Sequence, residues 1–321
     1  MSEGSRRVGS RPLYVVFNPL SGSAAALGLT AEALKGKFEA AGLDAEIDAD
    51  SERPLEARVA EALASEAEII VAAGGDGTIT ALAHALVDTP KTLALLPLGT
   101  ANLLARDLKI PLDLDRAIAE LTTMTPCWID VGDVNGRIFL HKVVIGTIPG
   151  IAEARETIRG KATLRARLEF LRYFLQRLSN PRRIALHIHP ADGASRVERV
   201  RAVAVANNAY DEGLGRFFAR ERLDRGTLTL YVLKRLGLSD TLRLTLAMLM
   251  GRWRQDSALA LEPVEGVVLH MKRRDVRVMI DGEVVRMDPP LTFRIRPRAL
   301  SILAPAAVAL QAGTPNAAGA G

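Results

Sequence analysis

Ile69-Ile70-Val71-Ala72-Ala73-Gly74-Gly75-Asp76-Gly77-Thr78 decides the fold. Five apolar residues in a row read as a strand buried on both faces, and the strand empties into glycines. Without a Cβ, glycine lets backbone N–H groups come close to a phosphate, and Asp76 adds a carboxylate suited to a hard cation such as Mg²⁺. Ile79 to Leu86 reads as a helix, so the loop sits at a helix N-terminus, which favours anions. Taken alone, the pentapeptide is also explained by an ordinary strand-to-helix turn.

Two further segments favour the phosphate reading. Asn18-Pro19-Leu20-Ser21-Gly22 follows the short strand Leu13 to Phe17, and Pro97-Leu98-Gly99-Thr100-Ala101-Asn102 follows the strand Leu93 to Leu96. In an open parallel sheet the carboxyl ends of the strands share one edge, where ligands bind. Thr30 to Ala41, with Leu34 and Phe38 on one face, reads as a helix. So does Leu55 to Ala67, with a stripe of Val59, Ala62, Leu63 and Ala67, and a shorter helix covers Asp113 to Thr122. Strands alternating with helices predict βαβ units.

From about Ile129 the texture changes to valine- and isoleucine-rich runs between turn residues: Ile138 to Ile145, Arg183 to His189, Val200 to Ala206, Leu228 to Leu233, Val264 to Met271 and Val276 to Ile280. These predict a largely antiparallel second domain. Two helices interrupt it, Leu164 to Leu178 and Ser239 to Trp253. The first is basic and amphipathic, with Arg165, Arg167, Arg172 and Arg177, and reads as a helix packed on the sheet with solvated arginines. A membrane-surface helix is the alternative. Leu242, Leu246, Leu249 and Met250 in the second helix read as core.

The chain has 321 residues, room for two domains. With 48% hydrophobic and 25% charged residues, its composition is globular rather than disordered. Lys and Arg total 42 against 37 acidic residues, a net +5 that suits anionic partners without choosing among them. Aromatic residues are 4%, too few for a base-stacking surface, so nucleic acid is not an expected partner. The lone Cys127 excludes an intramolecular disulfide. No run of eighteen apolar residues predicts a transmembrane helix, and Arg6, Arg7 and Arg11 precede no apolar core of signal-peptide type. His187 and His189 alternate on a strand at metal-ligand spacing, but the sequence offers no third ligand beside them, and no metal is expected there.

In the order and content of its motifs the chain resembles the diacylglycerol kinase catalytic-domain family of soluble bacterial lipid kinases, related to sphingosine and ceramide kinases. The matching segments are Asn18-Pro19 with Ser21-Gly22, Gly74 to Thr78, Pro97 to Asn102 followed by Ala105-Arg106, and Asp281-Gly282-Glu283. Gly-Gly-Asp-Gly alone is shared with NAD kinases and phosphofructokinases. The Gly-Thr-Ala-Asn loop with Ala-Arg after it and the late Asp-Gly-Glu are more specific. The resemblance implies an α/β fold: a mainly parallel nucleotide-binding domain over residues 1–130, a β-sandwich lipid-substrate domain over 131–305, and a loose tail over 306–321. It also implies transfer of the γ-phosphoryl of ATP to a lipid hydroxyl, diacylglycerol first and a ceramide or sphingoid base second, by a cytoplasmic protein that visits the inner face of the membrane. ATP, Mg²⁺, a lipid with a free hydroxyl and transient membrane-surface contact are the implied partners, with a homodimer as the assembly to test.

By the same resemblance Asn18, Pro19, Gly74, Gly75, Gly77, Thr78, Thr100, Asn102 and Arg106 line the ATP site, and Asp76 holds Mg²⁺-ATP. Arg106 either pairs with phosphate or ties down its loop. Glu283 is the expected general base, with Asp76 the rival. By composition alone, Asp281-Gly282 is a hairpin turn. Asp130 is expected in a supporting carboxylate–metal network. The chain also departs from the family pattern. Leu103 stands where many relatives have aspartate, Ser23 where a basic residue is common, and Arg225 in Leu223-Asp224-Arg225-Gly226-Thr227 where an aspartate helps hold a structural Mg²⁺. Gly213 and Gly215 keep the glycine turn before it. An NAD kinase and a non-catalytic nucleotide- or lipid-binding regulator are the competing readings.

Overall fold

A chain with three fully apolar strand segments has to cover both faces of a sheet, and the computed structural model shows how. It describes residues 12–146, 183–213, 219–234 and 238–311. These fall into two compact units, divided at Ile129/Asp130, with 222–224 and the residues from Arg298 onward returning to the first.

In the first unit β1 (Leu13–Phe17), β3 (Ile69–Gly74) and β4 (Thr92–Pro97) are buried at every position. β2 (Ala45–Asp48) lies at the edge with only Ala45 buried. The order β2-β1-β3-β4 is parallel throughout, with Phe17 beside Ala73 and Gly74 beside Pro97. The carboxyl ends of β1, β3 and β4 are therefore neighbours. The helices are α1 (Gly22–Leu27), α2 (Ala31–Ala40), α3 (Leu55–Ala64), α4 (Asp76–Leu86), α5 (Leu103–Asp107) and α6 (Leu114–Leu121). α2 buries Leu34 and Phe38 as its spacing predicts, and Thr30 caps it by accepting Ala33 N–H at 3.2 Å.

The second unit is two antiparallel sheets. One contains β5 (Thr125–Val134), β6 (Arg137–Phe139), β8 (Ile184–Pro190), β9 (Arg196–Val200), β13 (Gly266–His270) and the first half of β16 (Leu291–Ala304). The other has the order β12-β11-β10-β7-β14-β15, built from β7 (Lys142–Gly146), β10 (Ala202–Asn207), β11 (Leu228–Leu233), β12 (Leu259–Val264), β14 (Val276–Ile280) and β15 (Glu283–Met287). Inward residues of both, among them Phe139, Val143, Leu186, Ile188, Val205, Leu230, Leu269, Val278 and Phe293, make one core. Phe139 meets Phe293 edge to face at 6.3 Å.

The structure differs from the sequence reading in several places. The second half of β16 joins the first unit, where Ile302 pairs with Leu93 of β4, and α8 (Ala306–Gln311) follows it, so residues 298–311 do not belong to the second unit or to a tail. The run Ile138 to Ile145 breaks at Leu140-His141, for a reason given below. α7 (Leu238–Leu249) replaces the longer helix expected there. Its Leu242, Leu246 and Leu249, and Met250 just past its end, are 72, 54, 47 and 52% exposed and so are not core. Leucines line more than one side of this helix, so periodicity alone allowed either stripe to face inward. Leu244, Ala247 and Met248 take the inner position, against Tyr210, Tyr231 and Trp253. The arginine-rich helix expected over 164–178 lies outside the described residues.

Candidate active site

The three loops at the strand ends of the first unit are sewn together by their own backbone. Asn18 N–H donates to Ala73 O at 2.9 Å, Leu98 N–H to Gly74 O at 2.9 Å, and Ser23 N–H to Leu98 O at 2.9 Å. Glycine makes this approach feasible. A Cβ on Gly99 would stand 2.6 Å from Gly75 Cα, so the second and third loops touch backbone to backbone. Gly99→Ala is therefore expected to cost about 1–3 kcal/mol, the usual penalty of overpacking. Urea unfolding checks it. At Gly77, the second residue of α4, a Cβ would by contrast meet nothing within 4 Å beyond its chain neighbours and its own helix.

Asp76 occupies the centre. Its Oδ2 accepts Asn102 N–H at 3.1 Å and its Oδ1 accepts Leu103 N–H at 2.9 Å, so one carboxylate caps the start of α5. Asn102 adopts φ 49°, a left-handed conformation that asparagine tolerates, and its side chain accepts Gly99 N–H at 2.9 Å and donates to Gly99 O at 2.8 Å. Arg106 ties the loop down by donating from Nε to Ala101 O at 3.0 Å. Thr100 is exposed, whereas Thr78 is buried with its hydroxyl turned under Gly74. Asn18 and Pro19 are half-buried at the end of β1.

Sequence reasoning missed Arg58. This buried α3 guanidinium donates to Asp48 Oδ2 at 2.8 Å and to Phe17 O at 2.7 Å, fixing the carboxyl end of β1 just before Asn18. Its signal was an arginine beside the apolar stripe of α3, which a pattern of solvated charges hides.

Asp76 and Glu283 belong to different units. In the second, Asp281 (φ 48°) and Gly282 (φ 101°) turn β14 into β15 as an Asp-Gly hairpin. The Asp281 carboxylate accepts three backbone N–H groups: Leu140 at 2.6 Å, His141 at 2.9 Å and Lys142 at 2.8 Å. This is why the strand run breaks at Leu140-His141. From the other side the buried Arg220 donates to Leu140 O at 2.6 Å and Asn207 O at 2.9 Å, and Asn207 Nδ2 donates to Leu140 O at 3.2 Å. Burial pushes Asp281 above the ordinary carboxylate range, opposed by the three N–H donors and by Arg220. Glu283, two residues on, is exposed at the start of β15. None of the elbow residues Arg220, Asn207 and His141 was marked by sequence, because their partners lie far along the chain.

His141, within 2.9 Å of an Arg220 Nη, is held well below its usual pKa, first by burial and then by the Arg220 and Lys142 charges. The unfolded chain binds this proton near pH 6.5 and the folded chain does not, so stability is complete above that pH and falls below it. His141→Gln is expected to flatten this acid limb in unfolding measurements from pH 7.5 to 5.

Asp130, expected in a metal network, is buried and accepts Gly226 N–H at 2.6 Å, while Asn207 donates to its carbonyl at 2.8 Å. Arg225 forms an ion pair with Asp211 at 2.8 Å and donates its own N–H to Asn208 Oδ1 at 2.9 Å.

The second unit also holds an apolar cavity of about 370 Å³ between the second sheet and α7. Val144, Val203, Leu233, Leu244, Met248 and Met279 line it, with an aromatic wall of Tyr210, Tyr231 and Trp253. Lys142 is the cation in this lining, its Nζ 5.3 Å from the centre of the Tyr210 ring. Burial lowers its pKa to about 8.

Residues 12–134 match the diacylglycerol kinase catalytic domain, and residues 149–304 match the YegS C-terminal NAD kinase β-sandwich-like domain. A probable lipid kinase, YegS-like, from Pseudomonas syringae pv. syringae is 43% identical over 90 residues, 27% of this chain and 29% of that relative. The chain thus aligns with under a third of that relative's length. The diacylglycerol kinase of Bacillus subtilis is 27% identical over 282 residues, 86% of this chain and 90% of the relative. A crystal structure of a diacylglycerol kinase from Bacillus anthracis str. Sterne shares the fold with a TM-score of 0.68, at 20% identity over 95% of this chain and all of that one. The two matches follow one another over most of the chain, which thus carries a diacylglycerol kinase catalytic domain and, after it, a YegS C-terminal NAD kinase β-sandwich-like domain.

Proposed function

We propose that this protein transfers the γ-phosphoryl of ATP to the hydroxyl of a lipid. The observation that carries the reading is the apolar cavity behind α7, in a chain whose other unit gathers three loops of glycine and small polar residues. About 370 Å³ lies at the lower end of ligand-pocket volumes and suits part of an acyl chain. Diacylglycerol is the first acceptor to try, because the Bacillus subtilis relative that aligns along nearly its whole length bears that name.

The first unit would bind the triphosphate through backbone N–H groups at Gly75 to Gly77 and the exposed Thr100 hydroxyl. Asp76 fits a Mg²⁺ ion: each of its oxygens accepts one N–H and keeps a lone pair, and magnesium commonly takes one or two carboxylates plus phosphate. When bound, that ion would neutralise phosphate charge. Glu283 takes the proton of the attacking hydroxyl, and Asp281 holds the hairpin that presents it. The outward face of α7 gives the protein its transient contact with the membrane surface, with the exposed Arg252 following it in sequence. Leu242→Glu with Leu246→Glu is expected to weaken vesicle sedimentation about tenfold without changing ATP binding.

Filling the cavity tests the reading. Leu244→Trp should raise KM for a long-chain acceptor about tenfold while ATP affinity stays as in the wild type. Unchanged kinetics would remove the cavity as the acceptor site.

A further inference from the structure

Strand register decides which end of the apolar cavity is charged. β7, β10 and β11 carry its lining residues in rows across the sheet: Ala202 beside Leu233, then Val144 beside Ala204 beside Tyr231. The next row is Lys142, Ala206 and Thr229, and of these only Lys142 lines the cavity. Among the described lining residues Lys142 is also the one that carries a charge. The site therefore has an apolar body and a single cationic end.

That end is fixed by its backbone. Lys142 N–H donates to Asp281 Oδ1 at 2.8 Å, and its carbonyl accepts Asp281 N–H at 3.0 Å, so it adjoins the hairpin that carries Glu283. Burial disfavours the ammonium form, the Asp281 carboxylate favours it and Arg220 opposes it; with a pKa of about 8 the group is protonated at pH 7.

A second observation comes from the same row. Thr229 stands two residues before Tyr231 on β11, so its side chain lies on the cavity side of the sheet. It is buried, and its Oγ1 has no hydrogen-bond partner among the described residues. Such a hydroxyl carries a cost that an incoming oxygen relieves. The row thus presents donors, while the neighbouring Asp281 carboxylate is taken up by three backbone N–H groups.

An ammonium in an apolar lining attracts an oxygen with lone pairs and repels a second cation, because little water screens the pair. Diacylglycerol and ceramide present carbonyl oxygens. A sphingoid base carries a cationic amine beside its hydroxyl instead.

We propose that Lys142 is a specificity-determining residue of the cavity, selecting chains headed by an acyl carbonyl or carboxylate oxygen and rejecting chains headed by an amine. This selection rests on the cavity being the acyl site of the kinase reading, and it removes the sphingoid base from the acceptors.

The test is calorimetric titration of the full-length protein at pH 7 with decanoate, methyl decanoate and decylammonium, each below its micelle concentration. The acid and the ester should bind about tenfold or more tighter than the amine. Lys142→Met keeps the length of the side chain and removes its charge, and should erase that ratio by weakening the acid and strengthening the amine. Leu244→Trp should weaken all three probes, which locates them in the cavity. Binding of acid and ester together assigns the site to an esterified chain, and binding of the acid alone assigns it to a free fatty acid. Equal binding of acid and amine, or a ratio unchanged in Lys142→Met, would overturn the role of Lys142 and leave an unselective apolar site. If no probe binds, the acyl site falls and the selection by Lys142 falls with it. Selective binding without phosphoryl transfer would support the selection and count against the kinase reading alone.

Discussion

Glu283→Gln is expected to lower phosphoryl transfer by roughly 10²–10⁴-fold, the range contributed by a positioned general base, with ATP affinity within about a factor of two of wild type. The substitution keeps the shape of the side chain and removes its ability to take a proton. Glu283 is suited to this role because it is exposed at the first position of β15, while the carboxylate two residues earlier is committed to the backbone. Single-turnover transfer from labelled ATP, with a separate ATP-binding titration, measures both quantities. Transfer that persists in Glu283→Gln would move the base to another residue, and Asp76→Asn would then be the next variant to make. That variant is harder to read, because Asp76 also caps α5 through Asn102 and Leu103.

Asp281→Ala carries the largest expected loss of stability, about 3–5 kcal/mol. It strips the partners from three backbone N–H groups at Leu140, His141 and Lys142, and removes the Asp281 charge that the buried Arg220 faces. Asp281→Asn should recover only part of this, since one amide oxygen cannot replace two carboxylate oxygens and its NH₂ faces donors. Urea unfolding of the three proteins gives the order wild type, Asn, Ala. A loss below about 1 kcal/mol in the alanine variant would mean that water replaces the carboxylate and that the elbow is not held as described.

How much of this was legible in sequence depended on whether the signal was local. β1, β3 and β4 are apolar at nearly every position, which only a sheet covered on both faces requires, and each runs directly into a loop rich in glycine or small polar residues. That combination placed the parallel sheet and the three loops at one of its edges. The hairpin at Asp281-Gly282 was equally legible from the dipeptide. What Asp281 does was not, because its partners lie 139 to 141 residues away. Arg58 was hidden for a related reason: its acceptors Asp48 and Phe17 O lie on other elements, and a helix arginine usually faces water. α7 failed differently. With leucines around more than one side, its hydrophobic pattern contains two stripes, and only packing against Tyr231 and Trp253 selects the inner one. His187 and His189 showed their shared face in sequence, while His270 reached them through strand pairing alone.

The most direct measurement of the central claim is label transfer from γ-labelled ATP with Mg²⁺ into a panel of lipid micelles (diacylglycerol, ceramide and a sphingoid base), with NAD in parallel. The account predicts label in a lipid hydroxyl, diacylglycerol foremost, and none in NAD. Label in NAD, or no transfer to any lipid by a protein that still binds ATP, would contradict it.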